Sequence, residues 1–216
     1  MKTVSKFKWL LALLLITVSS KSLFAQTKAD VFDEKVPVTW LGVDYSQTKF
    51  IGSASSKDAP ISNDEFRDMY TTSWNYLFIN EQKKYDVAKA IHRQSVKYAI
   101  DVALSANKNL TKKDFFSNNP SDFHLLKEAD IANVVKNYDF QKADGIGLIF
   151  FVEGVSKGMD SMGVWVTFVD IKSKTVLYTN YVTGKPGGFG FRNYWAKPLF
   201  TTLKDMEDNF NRWSKN

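Results

Sequence analysis

Three sets of residues have types and spacing that could do chemistry. The first is Gly184-Lys-Pro-Gly-Gly-Phe-Gly190, which lies between an expected strand and an expected helix, where phosphate-binding loops occur. It contains no Gly-Lys-Ser, no Gly-Lys-Thr and no complete Gly-x-Gly-x-x-Gly, and too little chain follows it for a second half of a dinucleotide fold. Glycines in this pattern suit a tightly turned connection with positive φ. Phe189, Phe191, Arg192, Tyr194 and Trp195 crowd the same stretch, and aromatics grouped with an arginine are the usual composition of contact surfaces. The candidate binding set is therefore Lys185, Gly187, Gly188, Phe189, Gly190, Phe191, Arg192 and Trp195.

The second set is Asp44, Glu153 and Asp170, carboxylates on or at the ends of expected strands. Two of them brought within reach of each other would push one pKa up and make a general acid. The third set is the two histidines, His92 and His124. Neither shows a metal-ligand spacing, so no metal site is expected. No Gly-x-Ser-x-Gly elbow is present, so no catalytic residue is assigned, and no cofactor either. The chain has no cysteine, which excludes disulfides, thiolate catalysis and cysteine-held metals.

The beginning of the chain has the form of an export signal. Lys2, Lys6 and Lys8 precede a ten-residue apolar run, Trp9 to Val18, and Ser-Leu-Phe-Ala ends at Ala25. Ten residues are too few to cross a bilayer. Residues 1–25 are read as a signal peptide and 26–216 as a single periplasmic or secreted domain, with no lipid anchor because no cysteine follows the apolar run. Four of the 29 basic residues would leave with the signal, so the remainder carries 25 basic against 23 acidic residues, about +2. Those charges are scattered, which excludes a nucleic-acid footprint.

The elements that must position these residues follow from periodicity. The apolar run 145 to 152 reads as an inner strand. Runs 163 to 171 and 175 to 182 read as a hairpin across Lys172-Ser173-Lys174, both rich in aromatic and β-branched residues. Runs 36 to 46 and 48 to 53 suggest a second hairpin turning at Ser46-Gln47. Ser62-Asn63-Asp64-Glu65 is a capping box that starts a helix to about residue 80, with Phe66, Met69, Tyr70, Trp74, Leu77 and Phe78 on one face.

From 84 to 110 the alternation Val96, Tyr98, Ile100, Val102, Leu104 favours a strand, although Val96, Ile100 and Leu104 also fit a helix. Residues 111 to 127 look like an exposed connection, and Lys127 to Asn137 like a short helix. Trp195, Leu199, Leu203, Met206, Phe210 and Trp213 mark a closing amphipathic helix, and Pro198 places its regular start near 195 to 198. The expected fold is an α/β single domain: a mixed, mainly antiparallel sheet of about five strands with helices packed on it.

This order, with F-V-D-I-K-S-K-T-V-L (168 to 177), resembles the small periplasmic α/β domain of penicillin-binding-protein activator lipoproteins, the curli-secretion lipoprotein and the N-terminal domain of the Tol-system propeller protein. V-T-W-L-G-V-D-Y-S (38 to 46) and V-W-V-T-F-V-D (164 to 170) are similar to uncharacterised secreted proteins of Gram-negative bacteria. The chain departs from the lipoproteins in lacking their anchor cysteine. The resemblance implies a non-catalytic protein-binding or assembly module whose partner is another envelope protein or itself. The alternatives are a small ligand or envelope polymer bound at 184 to 195, and a hydrolase-type enzyme working with the strand carboxylates.

Overall fold

Eleven consecutive residues, Ile146–Ser156, form the longest strand, and every one is buried. A strand covered on both faces has no solvent side to mark with polar residues, so it reads as one apolar run. The structure, a computed structural model, describes residues 25–52, 55, 56 and 59–215. The export signal falls almost wholly on residues 1–24, outside the described residues.

In chain order the elements are helix α1 (Lys28–Phe32), β1 (Val38–Asp44), β2 (Lys49–Ile51), the short pair β3 (Ser55–Ser56) and β4 (Ala59–Pro60), and α2. Helix α2 is α-helical over Asn63–Glu65 and Thr71–Asn80 and π-helical over Phe66–Tyr70. Then come α3 (Val87–Ala90), β5 (Lys97–Tyr98), α4 (Asp101–Lys108), β6 (Phe116–Ser117), a 3-10 turn over Pro120–Phe123, and α5 (Glu128–Lys136). The strands β7 (Ile146–Ser156), β8 (Ser161–Asp170) and β9 (Thr175–Gly184) precede α6 (Phe191–Trp213).

The main sheet has seven strands, more than expected, and β7 is its axis. On one side β7, β8 and β9 form an antiparallel meander, closing at residues 171 to 174. There Asp170 Oδ1 accepts the Lys172 and Ser173 N–H groups. On the other side the expected hairpin at Ser46-Gln47 does not exist. β1 and β2 run in the same direction, end to end along one edge of β7, beside Ile146–Phe151 and Gly154–Ser156 respectively. In the gap between them Thr48 Oγ1 donates to the Val152 carbonyl at 2.7 Å, standing in for the missing strand. β5 and β6 extend β1 and β2 outward, again in parallel. Four of the six pairings in this sheet are parallel, so the fold is α/β but the sheet is not mainly antiparallel.

Two apolar layers flank the sheet. One carries Trp40, Phe50, Leu148, Phe150, Val164 and Phe168 under α2 and α6; the other carries Leu41, Ile149, Phe151 and Trp165 under Ile131 and Val135 of α5. The expected face of α6 is buried throughout, from Trp195 to Trp213. Ser62 caps α2 by accepting the Glu65 N–H. The π-helical stretch adds a residue to one turn and so rotates the helix face. Met69 is thereby half exposed while Thr71, Trp74, Asn75, Leu77 and Phe78 point inward.

The strand expected across 96 to 104 is only Lys97–Tyr98, and helix α4 takes the rest. Val102, Ala103 and Asn107 of α4 are buried. The connection 111 to 127 is less exposed than its composition suggests, since Phe115 and Phe123 are buried.

The outer edge of β1 is closed by side chains where β5 stops. Asn75 of α2 accepts the Val43 N–H (2.8 Å) and donates to the Val43 carbonyl (2.9 Å). Asn107 of α4 donates to the same carbonyl (2.9 Å) and accepts the Tyr45 N–H (2.8 Å). Both amides are buried, and between them they supply the hydrogen bonds a further strand would have made.

Candidate functional site

The connection from β9 to α6 is fixed at its base and free at its tip. Gly188 (φ 114°) and Gly190 (φ 79°) both adopt the left-handed region that favours glycine. Between them Phe189 is 96% exposed. Helix α6 starts at Phe191, earlier than Pro198 suggests. Pro198 has no N–H for the Tyr194 carbonyl four residues back, but that carbonyl accepts the Gly187 N–H instead (3.1 Å). The loop thus folds back and satisfies the acceptor that proline leaves open.

The base is tied to the rest of the molecule at several points. Trp74 Nε1 donates to the Arg192 carbonyl at 2.9 Å. Phe191 stacks on Phe50 with centroids 5.8 Å apart, and Trp195 meets the same ring edge-on at 5.2 Å. Tyr194 donates its hydroxyl to Asp160 at 2.7 Å, and Lys185 approaches the other Asp160 oxygen at 3.8 Å. The candidate binding set therefore divides. Trp195 is core and Phe191 is half-buried against it, whereas Lys185, Gly188, Phe189, Gly190 and Arg192 lie at the surface and Gly187 is half-buried. Among the described residues the Arg192 side chain bonds only its neighbour Asn193.

The three strand carboxylates are not brought together. Asp44, wholly buried at the end of β1, accepts from the Ser46 N–H (2.8 Å), the Ser46 hydroxyl and the Tyr138 hydroxyl (2.7 Å). Burial raises its pKa above the ordinary value, against the lowering by these hydrogen bonds. Burial likewise pushes the Tyr138 hydroxyl well above the usual tyrosine range. Asp170 serves the β8–β9 turn. No two of the three share a donor, so the arrangement of a shared proton is absent from the described residues.

Glu153 has company that the sequence did not announce. Its Oε2 accepts from His124 Nδ1 (2.8 Å) and Trp165 Nε1 (2.8 Å), and its Oε1 from the backbone N–H groups of Leu125 and Leu126. His124 stacks flat on Tyr181, with centroids 4.0 Å apart. Gly154 makes this possible, because a Cβ there would lie 2.0 Å from the Phe123 carbonyl oxygen. The only sequence signal was a Glu-Gly pair inside an otherwise apolar strand.

Chemically, Glu153 orients His124 through Nδ1 and leaves Nε2 on a half-exposed ring, the geometry of a positioned base. No hydroxyl nucleophile hydrogen-bonds His124 among the described residues, so no triad is assembled. His92 is engaged through Nε2 with the Glu207 carbonyl. No cluster of three or more potential metal ligands occurs among the described residues, and no helix among them is long and apolar enough to cross a membrane. Compared with known proteins, the chain matches no family model, and no curated protein is similar to it in sequence.

Proposed function

We propose that this is an exported, non-catalytic protein-binding module of the cell envelope that contacts its partner through the loop Lys185–Gly190 and Arg192. The observation that carries the reading is Phe189, 96% exposed at the tip of a loop whose base is buried and hydrogen-bonded. An exposed phenylalanine stabilises nothing in its own chain, and a rigid base lowers the ordering cost of inserting it into a partner's apolar hollow. Lys185 and Arg192 flank it with positive charge, which suits a hollow rimmed by carboxylates. The export reading rests on the basic, apolar and small-residue pattern of residues 1–25.

The test is the double substitution Phe189→Ser, Arg192→Ala. Neither side chain packs on the core, so the melting temperature should stay within a few degrees while the protein that co-purifies from the envelope fraction is lost. A variant that binds as the parent does would remove the loop from the contact.

A further inference from the structure

We infer that β9 is an interface strand through which two copies of this chain join into one continuous antiparallel sheet. The inference is independent of the loop reading and rests on the other end of the sheet. Among the described residues β9 pairs only with β8, so alternate N–H and C=O groups along its ten residues face away from the sheet. Among the described residues no hydrogen bond reaches the β9 backbone from any element but β8. Such an edge is a template for another strand unless something blocks it.

Two of the usual blocks, charged residues and proline, are missing, and a third, a β-bulge, is confined to one end of the strand. Thr175–Gly184 reads TVLYTNYVTG, without a charged residue and without proline. The register shift opposite Phe168 and Val169 leaves Leu177 unpaired, and beyond it Tyr178–Gly184 runs regularly. The protein does close an edge elsewhere, since Asn75 and Asn107 occupy the one beside β1.

The surroundings of β9 fit an added strand. A hollow of about 570 Å³ lies beside Val176–Asn180 on the α5 side, and one of about 320 Å³ beside Asn180–Thr183 on the α6 side. Side chains of an incoming strand alternate between the two faces, so each face has room to receive them. The first hollow is bordered by Lys28 and Glu128, the second by Asp205 and Arg212. A two-fold axis at Asn180 sets the 176–180 end of one copy beside the 180–183 end of the other. Lys28 and Glu128 of one hollow then approach Asp205 and Arg212 of the other copy's second hollow, a charge match that favours a second copy over an unrelated peptide.

Asn180 borders both hollows, which places the axis there. Pairing about Asn180 sets it opposite Asn180 of the second copy, where two amides can each donate and accept. Thr179 then faces Tyr181, and Tyr178 faces Val182.

The chain has no cysteine, so one introduced thiol reports one contact. Purified Asn180→Cys should oxidise to a covalent dimer, because residues directly opposite in an antiparallel pair have Cβ atoms roughly 4.5–5.5 Å apart. The parent protein should sediment as a dimer. Asn180→Lys, which puts like charges on the axis, should sediment as a monomer whose melting temperature no longer depends on protein concentration as the parent's does, and Phe189→Ser should remain a dimer. A parent that is monomeric at its solubility limit overturns the inference. So does a dimer that Asn180→Lys leaves intact, or one in which Asn180→Cys does not cross-link.

Discussion

The two long edges of the sheet are finished in opposite ways. Beside β1, helices α2 and α4 each send a buried asparagine to the backbone, and Thr48 fills the gap where β1 gives way to β2. Beside β9, polar side chains are also at hand, yet Asp205 accepts from Asn209 of its own helix and none bonds the strand. Burying an amide is favourable only when its hydrogen bonds are met, so the β1 side carries a demanding arrangement that the β9 side lacks. An edge meant to stay single is closed by side chains; an edge meant to take a strand is left bare.

The largest expected effect concerns the packing that supports β9. Phe210 of α6 is buried against Phe32, Phe168 and Trp213. Truncating a buried phenylalanine costs about 3–5 kcal/mol, so Phe210→Ala should lower the denaturation midpoint sharply. An unmoved midpoint would mean α6 does not hold the open side in place. Next comes the closed edge. Asn75→Ala removes three hydrogen bonds and leaves the buried Val43 N–H without a partner. A cost of about 2–4 kcal/mol in chemical denaturation is expected. On the open edge Asn180→Lys should change monomer stability by no more than about 0.5 kcal/mol, as at other surface positions. Equal losses from Asn75→Ala and Asn180→Lys would erase the contrast between the edges.

A smaller effect is set by pH. Asp44 stands at the end of the closed edge with its pKa raised above the ordinary 3.8 by burial. A carboxyl whose pKa is higher folded than unfolded binds its proton more tightly in the native state. Its contribution is therefore full below the unfolded pKa and is lost as pH rises through the folded one. The stability of the parent relative to Asp44→Asn should fall as pH climbs above the ordinary aspartate range. A difference that is flat across that range, or that grows with pH, would show that the hydrogen bonds from Ser46 and Tyr138 outweigh burial.

The open side of the molecule was the legible one. The β8–β9 hairpin is local, and β7 and α6 announce themselves by a continuous apolar run and by a single apolar face. The closed side was not legible, because its partners are distant in sequence. β1 and β2 look like a hairpin when read alone, yet each pairs with β7 about a hundred residues later, as the Thr48 bond to Val152 illustrates. Val96, Ile100 and Leu104 satisfied two periods at once, and the segment divides, with Lys97–Tyr98 a strand paired with β1 and Asp101–Lys108 a helix.

The candidate loop was found by composition, but composition did not separate Phe189, which is exposed, from Trp195, which is core. The Glu153–His124 pair lies 29 positions apart on a strand and a loop, a separation that no spacing rule connects.

Amide hydrogen exchange, followed residue by residue in the parent and in Asn180→Lys, tests the contrast between the edges most directly. In the parent both edges should be protected: Val43 and Tyr45 by the asparagine amides, and the outward-facing amides of Tyr178–Thr183 by the second copy. In Asn180→Lys, Val43 and Tyr45 should keep their protection while the outward amides of β9 lose theirs. Outward β9 amides that exchange equally fast in both proteins, or Val43 and Tyr45 amides that exchange as fast as they do, would contradict the account.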